Sequence, residues 1–256
     1  MKLNSLNEDI KNNIKDYTIF KPKNKDELKK AVDLWIENKE DALNYYGHIS
    51  VWDTSLIDDM SYLFSHNVDF NDNIFNWDVS LVTNTNHMFY EALSFNQDIS
   101  QWDVSNVIDM SGMFWEASSF NQPIDSWNVS SVTDMRFMFD GTKSFNQLLN
   151  SWNVSNVINM MGMFREASSF NKDVSQWNVY NVTNMDYMFQ EASSFNQDIS
   201  QWNVSNVTTM IGMFEDASSF NHDISKWNVS NVTDMIGMFE DAFSFDKKNA
   251  PWYDFN

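Results

Sequence analysis

The sequence predicts a single repeat-built α/β solenoid in which each unit contributes one short strand and one short helix or 3-10 turn. Tryptophan recurs every 25 residues, and phenylalanine recurs with the same period in two further columns, from Phe64 to Phe239 and from Phe70 to Phe245. No insertion interrupts the tryptophan column: Trp52, Trp77, Trp102, Trp127, Trp152, Trp177, Trp202, Trp227 and Trp252. We therefore expect about eight stacked units between residues 45 and 245.

Two local patterns alternate within each unit. Phe195 and Ile199 flank a short segment that reads as extended. The following apolar residues have the spacing of a helix face: Val207, Met210, Met213, Phe214 and Ala217. Thr208, just before the Met column, suits a helix N-cap. The unit is thus interpreted as one strand plus one short helix or 3-10 turn.

Stacking of the units is required because a 25-residue unit cannot bury enough apolar surface to stabilise itself. Ordering the chain costs roughly 1.5 kcal/mol per residue, so neighbouring units must cover both faces of each coil. Asparagine follows the second Phe column from Asn71 to Asn221. Stacked amides can form a hydrogen-bonded ladder, and the alternative is that each Asn only favours a local turn.

The ends of the stack need caps, because terminal coils expose apolar faces. Residues 1–44 are predicted to form an N-terminal helical cap, with Asn24 and Glu27 as a capping box before an amphipathic helix. One face of that helix carries Leu28, Ala31, Val32 and Trp35. Residues 246–256 are predicted to form a C-terminal cap or tail.

The charge pattern limits the classes of partner. The net charge is −20, whereas residues 1–45 hold nine Lys and nine acidic residues, so the repeat region is the anion. Such a surface repels nucleic acid and favours basic partners. We expect no membrane insertion, since no run of about 20 apolar residues occurs. The N-terminus also lacks the apolar stretch of a secretory signal.

Nothing in the sequence predicts an enzyme or a resident cofactor. Cysteine is absent, and the four histidines, His48, His66, His87 and His222, fall at four different positions of the repeat. Two acidic columns could instead hold Ca²⁺, one containing Asp98 and Asp198 and the other Asp109 and Asp134. Capping and solvation explain these acids more simply, and we expect no metal site.

A family resemblance rests on units such as the one from Ala92 to Val107, followed by Met110, Met113 and Phe114. These units resemble the BspA-like surface-protein repeats of mycoplasmas, other bacteria, protists and large DNA viruses, which are relatives of the leucine-rich-repeat solenoids. The resemblance covers about residues 45–245. It implies a right-handed, leucine-rich-repeat-like coil with short parallel strands on one face, an adhesion or interaction role, and a location at the cell surface or outside the cell.

Candidate binding residues lie in the columns that vary most between units. Their large or charged members are Tyr90, Trp115, Arg136, Phe137, Met161 and Tyr187. An exposed cluster of such residues would suit protein contact. The alternative is that these side chains fill gaps between neighbouring coils.

The sequence therefore predicts a non-enzymatic solenoid for protein interaction, adhesion or surface structure. One alternative is a structural assembly protein, for example in a virion, that packs laterally through self-association. Another is a Ca²⁺- or carbohydrate-binding module. The absence of a visible export signal leaves the cytoplasm and the virion open as locations.

Overall fold

The computed structural model describes residues 19–255, in which two short helices are followed by a stack of 25-residue repeats. Helix α1 spans Lys25–Glu37 and helix α2 spans Lys39–Tyr46. A 3-10 helix at Ile49–Val51 leads into the first repeat, and another at Lys247–Asn249 follows the last one. Within residues 19–255 the only β pairing consists of isolated parallel bridges between successive repeats, from Asp59–Asn84 to Thr209–Asp234.

Backbone hydrogen bonds join every pair of successive repeats, and most of them have their amide in the earlier repeat and their carbonyl in the later one. In the fifth repeat, the Gly162 amide donates to the carbonyl of Asp186 at 2.8 Å, and the Phe164 amide donates to Met188 at 2.9 Å. Four alternate amides of each repeat donate in this way to carbonyls 24 residues ahead, beginning at residues 60–66 and ending at residues 210–216. We call this set of bonds the amide ladder. Because it satisfies the backbone of each coil, no coil is complete without its successor.

The segment for which the sequence predicts a short helix or 3-10 turn is a run of successive turns. Met163 donates to Met160, and Arg165 donates to Gly162, each at 3.1 Å. These bonds have the i to i+3 spacing of a 3-10 turn, but Gly162 and Glu166 have φ angles of 58° and 54°. Left-handed residues at these places prevent a continuous helix, and alternate amides turn to the next repeat. The spacing of the apolar residues thus indicates which side chains face the core, and it does not indicate an α-helix.

The expected strand at residues 195–199 is also absent. These residues have no β bridge, and the parallel bridges lie at the Thr209 position, immediately before the turns. The backbone amide of Asn196 donates to a side chain, Asn171 Oδ1, at 3.0 Å. In a strand it would instead donate to a backbone carbonyl of a neighbouring strand. The extended segment is thus held by the asparagine column.

The asparagine ladder expected from the sequence is present. Asn121 donates its amide to Asn96 Oδ1 at 2.9 Å, and Asn146 donates to Asn121 Oδ1 at 3.0 Å. Gln147 Nε2 also donates to Asn121 Oδ1, at 3.0 Å. Each Asn oxygen therefore ties its own repeat to the next one.

Aromatic side chains fill the core as continuous stacks. The Phe114 ring lies 3.9 Å from Phe120 in its own repeat and 5.8 Å from Phe139 in the next, with interplanar angles of 9° and 7°. The indole of Trp127 is buried and donates from Nε1 to the carbonyl of Ile99 at 3.1 Å. Each indole thus both packs in the core and ties its repeat to the preceding one.

Helix α1 covers the first repeat. The N-cap predicted at Asn24 is present, since its Oδ1 accepts from the Glu27 amide at 3.0 Å. The second bond of a capping box is displaced by one residue, because Glu27 Oε2 accepts from the amide of Lys23 and not from that of Asn24. The predicted apolar face is buried: Leu28, Ala31, Val32 and Trp35.

Replacing Asn121 tests the asparagine ladder. We expect Asn121→Ala to lower the free energy of unfolding by about 1–3 kcal/mol, because the Asn146 amide loses its acceptor. Asn121→Asp retains an oxygen at the same place and should cost less. Urea titration followed by tryptophan fluorescence measures both changes. Equal losses in the two variants would show that the acceptor contributes little.

Candidate binding surface

One column of the repeat holds its residues in the left-handed region and alternates between glycine and larger side chains. The φ angles are 56° at Phe137, 58° at Gly162 and 56° at Tyr187. The rings of His87, Phe137 and Tyr187 each lie over the equivalent glycine of the next repeat. A Cβ atom at Gly162 would lie 2.5 Å from Phe137 Cδ1, and one at Gly212 would lie 2.7 Å from Tyr187 Cδ1. The glycines therefore provide the space that the rings occupy.

Rings from this column and a neighbouring column form a continuous surface cluster, which we call the aromatic ribbon. Tyr62 stacks on His87 with centroids 4.9 Å apart and an angle of 8°. His87 lies 5.6 Å from Trp115, and Trp115 lies 5.0 Å from both Tyr90 and Phe137. The ribbon thus crosses four successive repeats.

The rings of the ribbon are partly packed between repeats and partly exposed to solvent. Tyr62 is 50% exposed, and His87, Tyr90, Trp115 and Phe137 are half-buried. One side of Phe137 and of His87 fills the space above a glycine, as the gap-filling alternative expects. These partly exposed rings also contact one another, and a cluster of this kind favours a contact site.

The other predicted binding residues do not join the ribbon through ring contacts. Arg136 is exposed and pairs with Asp134 at 3.2 Å. Met161 is half-buried, and its carbonyl accepts from the Phe137 amide at 2.8 Å. Tyr187 repeats the ring-over-glycine arrangement two repeats beyond Phe137. Of the six predicted residues, the structure therefore brings Tyr90, Trp115 and Phe137 into one cluster.

The ribbon ends at the ion pair of Arg165 with Asp140, neither of which is among the six predicted binding residues. The carboxylate of Asp140 is buried and accepts from Arg165 Nε at 2.9 Å and from Nη2 at 2.8 Å. The Arg165 guanidinium lies 5.9 Å from the Phe137 ring. Burial raises the pKa of Asp140 to about 7 in spite of the guanidinium. Arg165 occupies the same column as Tyr90 and Trp115, so the column pattern was sufficient to find it.

The ribbon has carboxylates beside it. His66 continues the ribbon at 4.8 Å from Tyr90, and its Nδ1 lies 2.9 Å from Glu91 Oε2. Burial and the neighbouring carboxylate of Glu166 raise the pKa of Glu116. Burial lowers the pKa of His87, which favours the neutral ring. The surface therefore combines apolar rings with negative charge.

The acidic columns that suggested Ca²⁺ are used in local turns. Asp98 Oδ1 accepts from the Ser100 amide at 2.9 Å, and Asp109 Oδ1 accepts from the Ser111 amide at 2.8 Å. Within residues 19–255, no group of three or more His, Cys, Asp or Glu side chains could hold a metal ion. Any helix within that same range is too short or too polar to span a bilayer.

The repeats match a known family at three overlapping places. The family described as "Mycoplasma protein of unknown function, DUF285" matches residues 35–149, 122–210 and 175–255. The chain belongs to this family. Overlapping matches are typical of a repeat protein. The family description also agrees with the mycoplasma-type repeat that the sequence resembles. No curated protein and no solved structure is significantly similar to the chain.

Gly162→Ala tests the ring-over-glycine arrangement. Gly237 in the same column has a φ of 65°, and its nearest neighbour is Glu240 Oε2 at 3.3 Å, so Gly237→Ala reports mainly the cost of the left-handed backbone. We expect Gly237→Ala to lower the free energy of unfolding by about 1–2 kcal/mol. Gly162→Ala should lower it by about 1–3 kcal/mol more, because the Phe137 ring must move. The extra cost should disappear in a Phe137→Ala background, as measured by urea unfolding. A similar extra cost with and without the ring would contradict the arrangement.

The raised pKa of Asp140 predicts a pH dependence of stability. A carboxyl whose pKa is raised from 3.8 to about 7 on folding stabilises the fold below pH 3.8, and that contribution is lost as the pH rises through about 7. As the pH rises from 4 to 7, we expect the free energy of unfolding of the wild type to fall relative to that of Asp140→Asn. Asp69→Asn, at an exposed residue, controls for the loss of one charge. Parallel pH profiles of Asp140→Asn and the wild type in urea unfolding would contradict the prediction.

Proposed function

We propose that this chain is a non-enzymatic interaction protein that binds a protein partner through the aromatic ribbon. The observation that carries the proposal is the unbroken chain of ring contacts from Tyr62 to Phe137 at the surface of an acidic body. Aromatic side chains dominate the energy of protein interfaces because they bury large areas at a low cost in conformational entropy.

We further propose that the stack is a right-handed, leucine-rich-repeat-like solenoid of the BspA-like kind, acting in adhesion or at a surface. The sequence resemblance supports this proposal, as do the parallel bridges between equivalent residues of successive repeats. A rigid stack suits such a role, since it holds side chains from distant parts of the sequence at fixed spacings.

The chemistry of the ribbon favours a partner with apolar and basic side chains. Glu91 and Glu116 lie next to Tyr90 and Trp115 in the sequence, and the repeat region carries the whole net charge of −20. This negative charge would attract basic groups on the partner during association. Arginine side chains can also stack on exposed rings.

A double substitution tests the ribbon as the contact site. Tyr90→Ser with Trp115→Ser removes two half-buried rings, while Leu148→Ser removes one apolar side chain that is 53% exposed and lies outside the ribbon. We expect quantitative affinity purification from the native source to recover the same partner with the wild type and Leu148→Ser. Recovery with the double variant should fall at least about tenfold, the equivalent of about 1.4 kcal/mol.

Two controls make this result interpretable. Thermal unfolding must show that the double variant remains folded at the temperature of the assay. Static light scattering across concentration separates partner binding from lateral assembly. A mass that rises with concentration in the wild type but not in the double variant would show that the ribbon joins copies of the chain, which contradicts the proposal.

A further inference from the structure

The amide ladder has a direction, and this gives the two ends of the stack different chemistry. Every ladder amide points toward the following repeat and every accepting carbonyl points toward the preceding one. The turn segment of the last repeat therefore ends in donors. Within residues 19–255, the amides of Met235, Gly237, Phe239 and Asp241 have no acceptor, although their counterparts Met210, Gly212, Phe214 and Asp216 all donate to the last repeat.

The last repeat is only partly covered by the residues that follow it. Trp252 Nε1 donates to the Ile224 carbonyl at 3.1 Å, and the rings of Tyr253 and Phe255 lie 5.1 and 5.6 Å from Phe239. These contacts cover the aromatic side of the repeat. They leave Met235 and Gly237 half-buried, so the amides at the start of the turn segment form the open part of the edge.

Apolar side chains surround the open amides. Ile236 is 75% exposed and Phe243 is 82% exposed. Val232 and Met235 are half-buried, whereas Val207 and Met210 at the same positions of the preceding repeat are fully buried. The edge thus offers both unsatisfied donors and the apolar contacts that a further coil would cover.

The electrostatic environment of the edge is acidic. Glu240 and Asp241 are exposed beside it. Burial and the carboxylates of Glu240 and Asp216 raise the pKa of Glu215 in the preceding repeat. Negative charge is therefore crowded at this end, and a basic group placed there would relieve it.

We propose that this open edge, formed by residues 232–243, binds an extended segment of a partner protein that adds to the stack as a further coil. The segment presents carbonyl oxygens to the Met235 and Gly237 amides and apolar side chains to Ile236 and Phe243. Basic side chains on the segment face the nearby carboxylates. This mode resembles strand addition at a sheet edge, in which main-chain bonds give affinity and side chains give specificity.

A second copy of the chain is a poorer occupant. Two such edges facing each other would place donors against donors. The complementary carbonyl edge belongs to the first repeat, and α1 lies against that repeat, with Lys25 Nζ 3.0 Å from Asp59 Oδ1. The occupant that the edge fits is therefore a free segment with unpaired carbonyls.

A synthetic peptide with the sequence of residues 157–167 serves as the probe. In the intact protein this segment accepts ladder bonds from the preceding repeat, and it carries Arg165. We expect the peptide to slow hydrogen exchange of the Met235 and Gly237 amides of the full chain, measured by NMR, while a scrambled peptide does not. No slowing up to the solubility limit of the peptide would overturn the proposal.

Matched variants locate the site. Ile236→Ser with Phe243→Ser should weaken peptide binding at least about tenfold, the equivalent of about 1.4 kcal/mol. Leu81→Ser with Leu148→Ser, at residues 52% and 53% exposed elsewhere on the stack, should leave binding unchanged. Equal weakening in both variants would overturn the proposal. So would a concentration-dependent dimer that Ile236→Ser with Phe243→Ser abolishes, since the occupant would then be a second copy. Neither variant alters the aromatic ribbon, so the outcome is independent of the proposed function.

Discussion

Hydrogen bonds between repeats are the constraint on which the rest of the structure depends. Alternate amides of the turn segment, the asparagine oxygens and the indole nitrogens all find their partners in a neighbouring repeat. A repeat taken alone would leave these groups unsatisfied, and it would also expose the faces of its aromatic core. Polar satisfaction and apolar burial therefore require the same spacing of 25 residues, and neither can be met without the other.

The same constraint creates the surface that we propose as a binding site. The ladder needs left-handed residues in every turn segment, and one such column contains glycine where the preceding repeat contributes a ring. Rings in this column lean along the stack and meet Tyr90 and Trp115 of the neighbouring column. The aromatic ribbon is thus a consequence of how the turns pack, and its residues can vary because only part of each ring is needed to fill the gap.

The sequence predicted the features that depend on period and failed on those that depend on backbone conformation. The 25-residue columns, the N-cap at Asn24 and the asparagine ladder all follow from residue type at a fixed spacing. The segment from Val207 to Ala217, predicted as a short helix or 3-10 turn, is a run of turns with i to i+3 bonds and no helix, because successive turns and a helix can bury the same set of apolar positions. Six acidic residues in one column, from Glu91 to Asp241, adopt positive φ, although four of them are glutamates, which favour helices. Arg165 was missed because only large apolar members of its column and Arg136 were selected.

The absence of any insertion between Trp52 and Trp252 has a consequence for how such a chain can change in length. Losing or gaining one residue within a repeat would move its indole, its rings and its ladder amides out of alignment with both neighbours. Losing or gaining a whole unit would only shorten or lengthen the molecule, since each junction is alike. Gene duplication and deletion in steps of 75 nucleotides are therefore the changes this architecture tolerates best.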